Sequence, residues 1–393
     1  MPSDGPEAEL WMGAHPSAPS VVVRDGRAEG LDKVIATAPD RELGADCAAR
    51  FGGRLPFLLK VLAAENALSI QVHPSRAQAA AGFRADNERG LAPGDPARNY
   101  VDDWPKPELL CALTPFEVLA GMRSAADALG LLRALGVGRL KMAGVEMALA
   151  AAPAAATAAS AGGVSGSAGA APDPVGCALA TILQWPAEDR VALIEEVIAA
   201  CSRLAADSAS PYAPACAAVT RVAADHPGDT GIVAVLLLQH AVLRPGQAVF
   251  MPAGGLHAYL RGTGIELLAN SDNVVRAGLT GKHIDVPELL KLLDPAVAVP
   301  ILAPEVRADV ADYGIRAPEF RLFRVDLGEE AAPLPADGPR IMFCVSGGVT
   351  VRNAAGDTLK LGRGESCFVS AIDGAVSGAG PARVFVACAG TAL

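Results

Sequence analysis

Leu243-Arg-Pro-Gly-Gln-Ala-Val-Phe-Met-Pro-Ala253 and Leu361-Gly-Arg-Gly-Glu-Ser-Cys-Phe-Val-Ser-Ala371 agree at Leu, Gly, Phe and Ala. In each, a tight Gly turn leads into a short apolar strand, so the chain holds two β domains of one type. The last hundred residues read throughout as short strands parted by Gly turns, which suits a double-sheet jelly roll. Between the two β regions the apolar period changes from two to three or four. Pro115 to Leu135, Glu188 to Ala206 and Ala213 to Asp225 read as helix. The expected division is residues 1–114 with 230–284 as a first β domain, 115–229 as a helical insertion, and 285–393 as a second β domain. Residues 150–174, rich in Ala, Gly and Ser, read as a flexible surface insertion. Leu55–Leu62 and Ile232–Leu238 read as buried apolar strands. Asp285-Val-Pro-Glu288 opens a helix, with Asp as its cap and Glu at the capping-box position.

Composition narrows the ligand class. With 393 residues the chain has room for two or three domains, and 19% charged against 51% apolar residues excludes wholesale disorder. A net charge of −10 with no basic run removes the electrostatic footprint of a nucleic-acid binder, so a small ligand is expected. The eight cysteines, from Cys47 to Cys388, are scattered without a CxxC, as reduced thiols of a cytoplasmic protein would be. The first residues lack the basic-then-apolar order of a secretory signal, and no apolar stretch is long enough to span a membrane.

The chemistry collects around Ala67-Leu-Ser-Ile-Gln-Val-His-Pro74. Read as a strand, it projects Ser69, Gln71 and His73 from one face and Leu68, Ile70 and Val72 from the other. Such a polar face builds the wall of a wet cavity, although a half-exposed surface strand has the same pattern. Pro105 and Pro107 keep Trp104 and Lys106 extended, so Lys106 and Glu108 share a side. The competing reading is an exposed pair in a turn. Pro252-Ala-Gly-Gly-Leu-His-Ala-Tyr259 puts His257 and Tyr259 on one face, and Glu266, Asp272 and Arg276 follow. Lys60 is an unusual cation in an apolar run, its head expected to meet an anion or water at a strand end. The segment from Glu9 to Pro16 gives no mechanism, and His15 reads as structural.

These motifs resemble the type I phosphomannose isomerases, members of the cupins. The resemblance rests on Ala8-Glu-Leu-Trp-Met-Gly-Ala-His-Pro16, Leu55-Pro-Phe57, Ser69 to Pro74, Lys106-Pro-Glu108, Leu113-Thr-Pro-Phe-Glu117, Met251-Pro-Ala-Gly254 with His257-Ala-Tyr259, and Asn270 to Thr280, all in family order. It implies two cupin-type jelly-roll domains, or double-stranded β-helices, with a helical insertion. It also implies a sugar-phosphate substrate and one Zn²⁺ on Gln71, His73, Glu108 and His257. Glu108 supplies the only formal negative charge of that set, leaving about +1 on a divalent ion. Gln is a weak zinc ligand, so cobalt or manganese substitution is expected. The C-terminal domain carries no histidine after Ala371 and is expected to be metal-free.

The implied reaction is the interconversion of mannose 6-phosphate and fructose 6-phosphate through an enediol, in a monomeric cytoplasmic enzyme. Arg276, a poor base, is expected to contact the enediolate or phosphate. Lys106, beside Glu108 and its metal, is a candidate neutral-amine base, with Asp272 competing for that role. Lys60, Ser69 and Lys282 are candidate phosphate or sugar contacts, and Tyr259 and Glu266 line the cavity. Many relatives read Asn-His-Lys-Pro-Glu where this chain has Trp104-Pro-Lys-Pro-Glu108, so Pro105, which cannot titrate, replaces a histidine proposed to assist catalysis. A catalytically altered cupin that binds or senses a sugar phosphate is the alternative. A cupin oxidoreductase would use a His-rich iron site, which Gln71 and Glu108 fit poorly.

Overall fold

Strand His257–Ala269 runs through both halves of the first sheet in the computed structural model, which describes residues 5, 7–151 and 173–391. Its first half pairs with Phe116–Met122 and, through His257, with Gln71 of Ile70–Val72. A register shift between Tyr259 and Arg261 then swings it onto Phe57–Ala64 and Glu108–Ala112. Such a bulge bends a strand and increases its twist, which here curls the sheet into a barrel. Glu9–Gly13 adds to the outer edge of Phe57–Ala64, and Val275–Gly278 pairs with Ile70–Val72.

Alternation then sorts every side chain of this barrel. Outward residues of one half, Phe57, Leu59, Leu109, Cys111, Ala248, Ile265 and Leu267, join a core with Phe320, Leu322, Ile341, Phe343 and Phe385 of the C-terminal sheet. Those of the other half, Ile70, Val72, Leu119, Ala258, Val275 and Ala277, join the helical core. Inside, Leu62, Leu110, Phe116, Val118, Val249 and Met251 close one part of the barrel with apolar packing. The same inward set carries the polar residues of the site. Burying each large apolar side chain contributes roughly 1.5–3 kcal/mol, so both outer faces hold the barrel firmly.

The second sheet repeats the plan. Its strand Arg340–Arg352 pairs with Ala382–Cys388 and Ser366–Val369 through one half and with Thr358–Gly362 and Ser377–Ala379 through the other. The duplicated motif forms the same turn in both barrels. Arg244 N–H donates to Gln247 Oε1 at 2.8 Å, and Gly362 N–H to Glu365 Oε2 at 2.7 Å. Gly246 and Gly364 sit at φ 87° and 84°, a conformation glycine adopts without the Cβ clash. A mainly β chain with two cupin-type jelly rolls and added helices is therefore the observed architecture.

Two local expectations are corrected. Phe116–Met122 is a strand, with the helix beginning only at Ala125 and running to Leu135. Both its faces are buried, one in the barrel interior and one under the helices, so strict alternation is lost from the sequence. Residues 231–237 are instead helical, as Gly231–Ala234 and Val235–Leu237, and the strand starts at Leu238. A short all-apolar run suits a buried helix as well as a buried strand. The helices Arg190–Ala205 and Ala213–Asp225 and the strand Ala248–Met251 lie where the periodicity puts them. Helix Val286–Leu292 has Asp285 as its cap, but the Glu288 carboxylate accepts from Tyr100 rather than closing a box. Most of the insertion at 150–174 lies outside the described residues.

Candidate metal centre

The barrel interior receives Trp11, Lys60, Gln71, Glu108, His257, Tyr259, Glu266 and Arg276 because each occupies an inward position of its strand. Cross-strand register brings them together: Lys60 stands opposite Trp11 and Glu266, and Gln71 opposite both His257 and Arg276. His73 lies just beyond the Ile70–Val72 strand.

His73, Glu108 and His257, all buried, offer ligand atoms within 4.8 Å of one another. His73 Nε2 is 3.1 Å from Glu108 Oε1, and His257 Nε2 is 3.3 Å from Oε2. Each imidazole spends Nδ1–H on a backbone carbonyl, His73 on Asn273 O at 2.8 Å and His257 on Gly255 O at 3.0 Å. Both Nε2 lone pairs are thereby directed at the carboxylate, with His73 Nε2 buried and without a hydrogen-bond partner. Two nitrogen lone pairs and an anion converging in a dry space repel one another unless a cation lies among them. Backbone carbonyls fixing the far nitrogen are the usual support of metal-binding histidines. The donor set thus fits a divalent metal, and the Gln71 carboxamide stands beside it, its Nε2 3.4 Å from His257 Nε2. Burial drives the His73 pKa down to about 4, which keeps the ring neutral. Burial opposes ionisation of Glu108, but the Lys106 ammonium, the largest of the opposing influences, holds the carboxyl well below the usual carboxylate range.

Lys106 is buried, with Nζ 2.9 Å from Glu108 Oε1. The exposed-turn reading of this pair is therefore replaced by one in the barrel. Lys60 sits in mid-strand rather than at a strand end. Its ammonium lies 4.4 Å from the Trp11 ring centroid, 3.5 Å from Glu9 Oε2 and 3.6 Å from Glu266 Oε2. Burial raises the Glu266 pKa to about 7, with the Glu108 charge adding to it. The Tyr259 hydroxyl donates to Glu108 Oε2 at 3.4 Å, and Ser69 Oγ is 3.5 Å from Gln71 Oε1. Arg276 is half-buried and its guanidinium has no ion pair among the described residues, so it is free to take an anion. Asp272 is exposed at the edge of the site and faces His15 Nε2 at 3.3 Å. Lys282 is exposed beyond Val275–Gly278, and among the described residues no ion pair joins its side chain to this cluster.

Glu9, Trp11, His15 and Asn273 escaped the sequence reading. The first two become visible only once Glu9–Gly13 is paired with the Lys60 strand, because their alternation faces nothing recognisable in isolation. Asn273 acts through its backbone carbonyl, which no side-chain pattern announces.

The family described as phosphomannose isomerase type I, catalytic domain, matches residues 1–125. The chain is 33% identical to the mannose-6-phosphate isomerase of Salmonella typhimurium, over 98% of this chain and 91% of that protein. It is 31% identical to that of Bos taurus, over 94% and 85% respectively. The crystal structure of a single-site variant of Salmonella typhimurium phosphomannose isomerase superposes with a TM-score of 0.85 at 32% identity, covering 98% of this chain and 92% of that one. A zinc-bound mannose 6-phosphate isomerase superposes at 0.81, with the same identity and coverage.

Proposed function

The chain belongs to the type I phosphomannose isomerase family, and from that premise we propose that it is a zinc-dependent aldose–ketose isomerase interconverting mannose 6-phosphate and fructose 6-phosphate through an enediol. The observation that carries this reading is the convergence of both histidine Nε2 atoms on Glu108, in a barrel wall that also holds Lys60, Lys106 and Arg276. Gln71, His73, Glu108 and His257 are the proposed ligands, with other divalent ions able to replace zinc. When bound, the metal supplies a Lewis acid toward the sugar oxygens.

The reaction moves a proton between C2 and C1, so a base must approach a C–H bond made acidic by the neighbouring carbonyl. Asp272 is assigned that role. The His15 hydrogen bond, ahead of opposing burial and aided by Lys106 and Lys60, holds its carboxyl below the usual range, and only one of its oxygens faces His15. Lys106 already donates to Glu108, so it is assigned to stabilise negative charge rather than to accept a proton. Arg276 shares that task, since an always-charged guanidinium suits an enediolate or phosphate. Tyr259 and Glu266 line the cavity and orient sugar hydroxyls, and Lys60, Ser69 and Lys282 contact phosphate or sugar.

The catalytic barrel, the helical insertion and a metal-free C-terminal barrel are parts of the same proposal. So are a monomeric state, a cytoplasmic location and the absence of nucleic-acid partners. Eight unpaired cysteines support the cytoplasmic reading, and no described helix is long and apolar enough to cross a membrane. A coupled assay tests the function: turnover of mannose 6-phosphate is expected, lost on chelation and regained on zinc return. Zinc-loaded protein without turnover would leave only the sugar-phosphate sensor.

A further inference from the structure

His15 is buried, although it follows an edge strand. Three contacts fix its ring. Nδ1 accepts the Ser17 backbone N–H at 3.3 Å and lies 2.8 Å from the Ser17 hydroxyl, which leaves the ring proton on Nε2. That Nε2 faces Asp272 Oδ2 at 3.3 Å. The ring packs edge-on against Trp11, at 5.0 Å and 79°, and the Trp11 indole is the surface over which Lys60 lies. The imidazole is thus tied to the cavity wall on one side and to a carboxylate on the other.

Asp272 is held by its backbone as well. Its N–H donates to Asp102 Oδ2 at 2.9 Å, and the next residue, Asn273, supplies the carbonyl that orients His73. The side chain itself is 45% exposed, and no other side chain among the described residues is bonded to it. Without His15 the carboxylate would swing through several rotamers at the edge of the site. The groups that face it are His15, Lys106, Lys60 and Asp102.

We propose that His15 is a positioning residue for the isomerisation: its Nε2–H grips one oxygen of Asp272 and turns the other toward the sugar. The inference rests on the assignment of Asp272 as base. The proton leaves C2 for the free carboxylate oxygen while the C–H electron pair forms the C1–C2 double bond and the carbonyl becomes the enediolate. The O2 hydroxyl proton passes to O1, and return of the first proton to C1 leaves the ketone at C2 and regenerates the carboxylate, while His15 keeps its own proton throughout.

His15→Phe keeps the packing against Trp11 and removes the grip. Its kcat is expected to fall about 10-fold or more, with KM nearly unchanged and zinc content equal to wild type. The acid limb of kcat against pH should move upward, because Asp272 loses its main support for the ionised form. His15→Gln, which can present an N–H near the same place, should recover most of both losses. An unmoved acid limb in His15→Phe would overturn the proposal, since loss of folding alone does not shift it. If that variant does not fold, Ser17→Ala decides: a smaller shift of the limb in the same direction supports the grip, and none refutes it. Asp272→Asn separates the two readings. Wild-type turnover in that variant removes the base assignment, whereas an inactive Asp272→Asn beside an unimpaired His15→Phe leaves the base in place and removes His15.

Discussion

The Asn273 side chain accepts the Val101 backbone N–H at 2.8 Å and donates to the carbonyls of Asp102 and Trp104, each at 2.8 Å, and it is wholly buried. It thus fixes the segment that leads into Lys106 and Glu108, while its backbone oxygen fixes His73. Asn273→Ala takes the partner from the Val101 N–H and the Asp102 carbonyl and leaves the Trp104 carbonyl with the Ser271 hydroxyl alone, at about 1–3 kcal/mol for each group that water does not reach. A loss of about 3 kcal/mol in denaturant unfolding is expected, with zinc affinity down about 10-fold because His73 is less well aimed. Wild-type zinc affinity in the folded variant would show that the loop keeps its shape without this amide. The sequence brought out Gln71, His73, Lys106 and Glu108 and concealed this residue for one reason. Gln71, His73, Lys106 and Glu108 are placed by alternation and by flanking prolines, both local effects. Asn273 matters only because two loops distant in sequence meet around it.

Among the elements, one tie between the first helices and the C-terminal barrel is a buried carboxylate, beside the Arg50 contacts to the Pro318 and Gly390 carbonyls. Glu42 receives a bidentate pair from Arg24, both contacts at 2.8 Å, and the Ser370 hydroxyl. Burial raises its pKa, but the hydrogen bonds from Arg24 and Ser370 outweigh that and leave it below the ordinary value. The folded protein therefore binds this proton less readily than the unfolded chain. The resulting stability is present above the unfolded pKa of about 4.3 and is lost as pH falls through the lower folded value. Glu42→Gln is expected to cost about 1–2 kcal/mol at neutral pH, the lower part of the range for charge-assisted bonds because Arg24 is 39% exposed. The gap between wild type and variant should close below pH 4. A gap that stays constant down to pH 3 would mean that packing rather than charge is lost. Element types were legible where one face meets solvent or where a turn is specified, as in the duplicated Gly246 and Gly364 motif. They were misread at 116–122 and 231–237, where burial on every side erases the period that separates strand from helix.

At the scale of the whole molecule, the metal site lies inside a barrel that is clamped on both sides. Leu109, next to Glu108, packs into the core shared with Phe320, Phe343 and Phe385, while Ile70 and Val72, flanking Gln71, pack into the helical core. The strands that carry the proposed ligands cannot separate without opening both cores. Zinc binding is therefore expected to stabilise the chain as one unit. With free zinc at about 1,000 times its dissociation constant, the gain is about 4 kcal/mol. Calorimetry should show one transition that moves down on chelation and returns with zinc, with no early transition appearing. The site also sets the pH range of this effect. Burial holds His73 at about 4 instead of the usual 6.5, and Glu108 is held lower than an ordinary carboxylate, so neither ligand takes up a proton between pH 8 and pH 5. Proton uptake by these two ligands should therefore take nothing from the zinc-induced shift over that range, as followed by melting at fixed free zinc. Protonation of the His73 ring near pH 6.5, followed by NMR of the zinc-free protein, would contradict this, and a melt split into two steps would mean that the C-terminal barrel unfolds independently of the barrel that holds the site.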